Sequence, residues 1–269
     1  MLYIGCAVIA LAFLALPIVA IFVHTSPANL VDQLSNPVVR DAFAVSLKTS
    51  LLAQLLIIAF GTPTAYLLAT ERFPGHSAAV TLVELPLVLP PAVAGIGLLA
   101  AFGHYGLLGS SLDAFGVSLP FTQAAVTVAV AYVASPLYVR QAIAAFESTD
   151  PALSAASRTL GASRTRTFFR IVLPLARAGL AAGIALSFAR GLGEFGATIM
   201  FAGSLQKVTQ TLPLAIYAEF DQDFDATLAM GGVLVLFSVI LLFTLRIGLT
   251  WPGSSSKRSV FLFGPSTSS

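Results

Sequence analysis

Asp150-Pro151-Ala152-Leu153-Ser154-Ala155-Ala156-Ser157-Arg158-Thr159-Leu160-Gly161, running on through Ser163-Arg164-Thr165-Arg166 to Arg170-Ile171-Val172-Leu173-Pro174, decides how the rest of the chain reads. It is polar, carries four arginines and lies between two long apolar runs. Thr149 or Asp150 can cap the free amides of a helix start, and Pro151 suits the first turn, where its missing N–H costs nothing. Leu153, Ala156 and Leu160 recur at i, i+3 and i+7 and give a short helix one apolar face, with Ser154, Ser157 and Arg158 elsewhere. Gly161 follows the last apolar position and can take the left-handed, helix-ending conformation. Ser163 can cap a second helix, and Pro174 falls in the first turns of the next apolar run. The spacing therefore predicts a short helix, a glycine bend and a return into apolar sequence. Such a helix is not stable alone in water. Two covers suit its apolar face: a groove in another protein, or lipid headgroups with the arginines on anionic lipid.

The flanking sequence is that of a membrane protein. Of 269 residues, 57% are hydrophobic and only 10% charged, with a mean hydropathy of +0.91. A soluble domain carries about 25% charged residues, so the bilayer must be the main solvent. Apolar runs approach the roughly 20 residues needed to cross a membrane at Leu2–Val23, Leu51–Thr70 (entered from Phe43), Leu85–Phe102 (entered from Ala78), Phe121–Val139, Ile171–Phe188 (which holds one charge, Arg177) and Leu228–Leu245. The first run has no basic residues ahead of it, is long for a signal-peptide core and lacks a small-x-small cleavage site, so it reads as a retained helix. The expected fold is all-α and integral to the membrane, with six transmembrane helices in residues 1–250. The polar loop, about 146–170, lies between the fourth and fifth. Residues 251–269 form a Ser-, Gly- and Pro-rich tail that reads as disordered. Arg140, Arg158, Arg164, Arg166 and Arg170 cluster after the fourth run. By the positive-inside rule they place that loop and both termini in the cytoplasm.

Two further stretches interrupt the apolar pattern. Leu85-Pro86-Leu87-Val88-Leu89-Pro90-Pro91-Ala92-Val93-Ala94-Gly95 holds three prolines that cannot donate helix hydrogen bonds. Broken backbone at membrane depth is tolerated where it packs in protein or lines a cavity. Pro90, Pro91 and Gly95 are thus candidates for a translocation path, or for a kink needed only in packing. Arg190-Gly191-Leu192-Gly193-Glu194-Phe195-Gly196 puts one acid between flexible residues, with Arg190 four positions earlier and able to pair with it if helical. Arg190, Gly193, Glu194, Phe195 and Gly196 fit a gate, or a helix-ending turn that caps and packs.

The remaining residues exclude other classes. There is no G-x-x-x-x-G-K-[ST] phosphate loop, since Gly106-Leu107-Leu108-Gly109-Ser110-Ser111 lacks a lysine. The chain is therefore expected to hydrolyse no ATP. His24, His76 and His104 are scattered and Cys6 is a lone cysteine, so no metal site is expected. No catalytic triad, paired-carboxylate site or nucleic-acid patch is visible. Glu219, Asp221, Asp223 and Asp225 form an acidic run that is either a docking surface or a solvated loop.

The polar loop resembles the "EAA" loop of ABC importer permeases: Glu-Ala-Ala, three residues, Gly, nine residues, Ile-x-Leu-Pro. Gly161, Ile171, Leu173 and Pro174 stand at the matching places, whereas Ala155-Ala156-Ser157 replaces Glu-Ala-Ala and removes the acid. The Leu85–Gly95 and Phe188–Gly203 stretches are similar to molybdate and tungstate permeases of the oxyanion branch, with sulfate permeases as near relatives. The resemblance implies that Asp150, Pro151, Leu153, Ala156, Ser157, Leu160, Gly161, Arg164 and Pro174 form a coupling helix and its return. It further implies a homodimer with two cytoplasmic ATPase subunits, which use ATP and Mg, and an extracytoplasmic molybdate-binding protein, in a prokaryotic plasma membrane. This chain itself is expected to bind no cofactor and no nucleic acid. Oxyanion donors near the path would be Ser187, Thr198, Ser135 and Arg190, which form no convergent motif. A sulfate or thiosulfate permease is the alternative within the family. A self-powered secondary transporter, the alternative outside it, needs acids within the helices, and Glu84 and Arg177 lie only near run ends.

Overall fold

The computed structural model describes residues 2–250, all of whose regular elements are helical. The expected tail, 251–269, lies outside the described residues. The elements are α1 (Leu2–His24), α2 (Pro27–Ser35), α3 (Pro37–Thr70), α4 (His76–Val88), α5 (Pro91–Phe102), α6 (Gly109–Ala114), α7 (Gln123–Glu147), α8 (Pro151–Thr159), α9 (Arg164–Thr167), a π turn (Phe168–Val172), α10 (Leu173–Leu192), α11 (Gly196–Ala202), α12 (Leu212–Glu219) and α13 (Phe224–Thr250). Proline opens α2, α3 and α8. Each follows a capping side chain, from Ser26, Asn36 and Asp150, that accepts a first-turn N–H.

Among the described residues, four helical stretches are long and apolar enough to cross a membrane: Tyr3–His24, Pro37–Thr70, Gln123–Glu147 and Arg164–Leu192. The second begins well before the expected Leu51, because Asn36 and Pro37 start a helix that the polar residues Arg40, Asp41 and Lys48 do not interrupt. The fourth runs from α9 through the π turn into α10 without a break. Pro174 cannot donate to the Arg170 carbonyl and would crowd it, and the turn just before it widens, with the Leu173 N–H reaching Phe168.

The third expected run, Leu85–Phe102, is not one rod. It divides into α4 and α5, bent by 116°. A residue before proline is driven to extended backbone, and here two such residues adjoin: Leu89 at ψ 132° and Pro90 at ψ 132°. Together the pair is long and apolar enough for a crossing, as a broken span or a re-entrant loop. In α13 the shorter apolar stretch Phe224–Ile240 follows.

α7 forms the axis, packed between α3 and α10. Its buried positions, among them Ala134, Tyr138, Ala142 and Ala145, meet Ile57 and Ala65 of α3 and Ala176 and Leu180 of α10. The Tyr138 hydroxyl lies 2.6 Å from Thr62 Oγ1 and ties α7 to α3. Along α10, Gly179, Gly183 and Gly191 recur at multiples of four. A Cβ there would come within 2.5 Å of Ala145 Cβ, 3.1 Å of Gln141 Cβ and 2.8 Å of Val130 Cγ1. In lipid, where helices gain little from hydrophobic association, such small residues let backbones approach and gain dispersion contact. α5 and α11 share a second core with α3 and α7, in which Ala94, Leu98, Ala125, Ala129, Ala197 and Phe201 meet. A third joins Val39 and Ala42 of α3 to Leu212, Ala215 and Met230 of α12 and α13. α1 packs on α13 and leaves Ile4, Ile9 and Phe13 exposed. That surface suits a bilayer and not water.

Candidate functional site

The structure gathers the sequence-predicted residues into two separate places. The first is the α8 hairpin. Asp150 Oδ1 accepts the Ala152 N–H at 2.9 Å, and Pro151 is the first helical residue. At the far end the Gly161 N–H bonds Arg158 O at 3.0 Å and the Ala162 N–H bonds Ser157 O at 3.1 Å, with Gly161 at φ +84°. These bonds make a Schellman ending, closed by a residue in the left-handed region. Ser163 then caps α9 through the Arg166 N–H. Pro174 is the second residue of α10, where the chain re-enters the bundle.

The faces of α8 are set opposite to those of a soluble amphipathic helix. Leu153 and Ala156 are exposed, and Leu160 is 88% exposed. Ser157 is the buried residue, its Oγ 3.0 Å from Thr167 Oγ1. A polar pair fastens the helix to the bundle, and the leucines face outward. Behind α8 opens a cavity of 470 Å³, bounded by Thr70, Glu71 and Arg72 at the end of α3, Glu147 at the end of α7, and Arg158 and Arg164 of the hairpin. Sequence reasoning placed Arg164 here, and Glu147 falls within the expected loop of about 146–170, but Glu71 and Arg72 were missed. They lie at the end of α3, and nothing in their local spacing points to the hairpin.

The second place is the junction of α5 and α11, which brings the proline-broken stretch against the Gly193–Gly196 turn. Pro90 forms the break and Pro91 starts α5. A Cβ on Gly196 would lie 2.7 Å from Pro91 Cβ, and one on Gly95 would lie 2.6 Å from the Ala197 carbonyl oxygen and 2.7 Å from Met200 Cβ. Glu194 sits in the turn between α10 and α11 with its side chain only 1% exposed. One oxygen accepts the Ala197 N–H at 2.8 Å and the other meets Arg190 Nη2 at 2.7 Å. Both carboxylate oxygens are thus engaged, in capping α11 and holding the end of α10. The acid is a brace for this elbow. Gly193 ends α10. Phe195 packs its ring 5.1 Å from that of Tyr217 and lines an apolar recess of 390 Å³ with Pro213, Ile216 and Phe220.

Of the expected oxyanion donors, Ser187, Ser135 and Arg190 already have partners within the protein. Ser187 Oγ lies 2.9 Å from Gln54 Oε1 and 3.2 Å from the Ile184 carbonyl, and Ser135 Oγ donates to Tyr132 O. Thr198 Oγ1 and Gln54 Nε2 are buried without a protein partner. Gln54 was missed because a single amide in an apolar run carries no local pattern. Of the acidic run, Asp223 caps α13 through the Ala226 N–H.

Residues 57–249 match the family model "Binding-protein-dependent transport system inner membrane component". The chain is 38% identical to the molybdenum transport system permease protein ModB of Mycobacterium tuberculosis over 252 residues, 94% of this chain and 95% of that one. It is 36% identical to the sulfate transport system permease protein CysT of Salmonella typhimurium over 237 residues, 87% and 86% of the two chains. Its fold is similar to a chain in the crystal structure of a bacterial alginate ABC transporter in complex with alginate pentasaccharide-bound periplasmic protein. The TM-score is 0.70 at 18% identity, over 91% of this chain and 90% of that one. A multi-pass helical bundle with this polar hairpin, matched over most of its length, belongs to the family of inner-membrane components of binding-protein-dependent transport systems.

Proposed function

We propose that this chain is the permease subunit of an ATP-binding-cassette importer that carries molybdate or tungstate into the cytoplasm by alternating access. The observation that carries the coupling role is the orientation of α8: its leucines face outward while Ser157 anchors it, as a helix that seats in a partner's groove requires. Two permeases pair about a two-fold axis. Two ATPase subunits, holding ATP and Mg, take the two α8 helices on the cytoplasmic side, and a loaded binding protein docks on the other. Closure of the ATPase dimer draws the α8 helices together. The Gly161 bend and the continuous α9–α10 segment carry that motion to the elbow braced by Glu194, and hydrolysis resets it. The chain crosses six times, with the bent α4–α5 pair as one crossing and α13, about 40 Å long at 1.5 Å per residue, as the last. Both termini face the cytoplasm.

The similarity to molybdenum permeases supports the substrate. The nearly equal similarity to a sulfate permease favours sulfate or thiosulfate as the second reading. The orphaned donors Gln54 Nε2 and Thr198 Oγ1 suit a weakly binding anion passage. The test is ATPase activity in proteoliposomes holding the permease, its ATPase and its binding protein, loaded in turn with molybdate, tungstate or sulfate. Stimulation by molybdate or tungstate alone supports the substrate. Stimulation by sulfate overturns the substrate and keeps the subunit assignment. Transport without any ATPase overturns both.

A further inference from the structure

The chain's lysines are Lys48, Lys207 and Lys257, and two of them, far apart in sequence, line one recess. This recess, 340 Å³ in volume, lies between α3, the start of α7 and the loop after α11, and is bounded by Asp41, Lys48, Gln123 and Lys207. Lys48 Nζ donates to Gln123 Oε1 at 2.7 Å, which leaves the Gln123 amide N–H groups unspent. Lys207 is held at the top of a turn clamped by Thr209, whose Oγ1 accepts the Leu205 N–H at 2.9 Å. Among the described residues neither lysine has a carboxylate within salt-bridge distance. Asp41 shares the recess, and its Oδ2 is buried without a hydrogen-bond partner.

We infer that Lys48, Gln123 and Lys207 form a binding site for a tetrahedral oxyanion group at the rim of the bundle. Two ammonium groups and an amide supply donors and positive charge for such a group. Two sources carry the same chemistry. Lys48 shares its face of α3 with the exposed Leu52 and Leu55, one and two turns on. In a bilayer, such a lysine above an apolar face would extend its ammonium toward the phospholipid phosphates. The transported oxyanion is the other source. The lipid source needs only that the chain spans a membrane, whereas the second rests on the substrate proposed above. Asp41 opposes either anion, so its removal strengthens binding.

The test uses the full chain in phosphatidylcholine nanodiscs. One arm measures retention of added phosphatidylglycerol by native mass spectrometry, the other binding of molybdate by equilibrium dialysis. Lys48→Gln and Lys207→Gln should each weaken binding in the responding arm about fivefold, the effect of one cation near the surface. The Lys48→Arg/Lys207→Arg chain should retain it, and Asp41→Asn should raise it. A change in the lipid arm alone assigns the site to headgroups, and a change in the molybdate arm alone assigns it to the transported ion. If the double Gln chain binds both probes as the wild type does, the site is refuted. Molybdate uptake by the same variant reads the transport assignment separately.

Discussion

Gly161 is where one backbone angle separates a working hairpin from a broken one. A Cβ at this position meets nothing within 4 Å, so steric clash plays no part, and the whole penalty of substitution is conformational. At φ +84° an ordinary L-residue costs about 1–2 kcal/mol, a factor of roughly 5–30 in the equilibrium between bent and unbent hairpin. Asn tolerates the left-handed region far better than Ala, and a β-branched residue tolerates it worst. Coupling should therefore fall in the order Gly161, Gly161→Asn, Gly161→Ala, Gly161→Val, with membrane insertion unchanged throughout. The assay is anion uptake per ATP hydrolysed in proteoliposomes containing the partner ATPase and loaded binding protein. If Gly161→Val transports with wild-type coupling, or if Asn and Val are equally impaired, the left-handed bend is not what transmits motion.

Two more substitutions test the α5–α11 junction. Gly95→Ala places a Cβ against the Ala197 backbone and should destabilise the protein by about 1–3 kcal/mol. Gly97→Ala, two residues on and with nothing within 4 Å of its Cβ, should be neutral; a thermal unfolding comparison in detergent reads both. Glu194→Gln keeps an acceptor for the Ala197 N–H but loses the charge facing Arg190. Arg190 is 34% exposed, so the loss should be about 1–2 kcal/mol, below that of a fully buried pair. An unchanged melting temperature would contradict the bracing role.

The local signals of the hairpin were legible because they are short-range: a cap, a first-turn proline and a glycine set by their neighbours alone. Asp150, Pro151, Gly161 and Ser163 do what their spacing predicts. The break at Leu89–Pro90 was legible as disrupted hydrogen bonding, but not as a 116° bend. One proline permits a kink, and the angle comes from two adjoining extended residues held by the contacts of Gly95 and Gly196 with α11 and α5. The Arg190–Glu194 pair was visible as a four-residue spacing. Its geometry is not that of a continuous helix, because α10 ends at Leu192 and the pair spans the turn. The inward face of Ser157 was invisible, since its partner Thr167 belongs to the next helix. The glycine stripe of α10 carries a readable period of four, a signal that hydropathy alone passes over.

Leu160 offers the most direct test of whether α8 engages an ATPase. In a Cys6→Ser background, Leu160→Cys is assembled with the partner ATPase in inside-out and right-side-out vesicles and treated with a short thiol-anchored photoactivatable crosslinker or a membrane-impermeant maleimide. Coupling through α8 predicts a crosslink to the ATPase. It further predicts that maleimide labels from the cytoplasmic side only, and less once the ATPase is bound. Labelling from the opposite side, or no crosslink and no protection in an assembly that still transports, would contradict it.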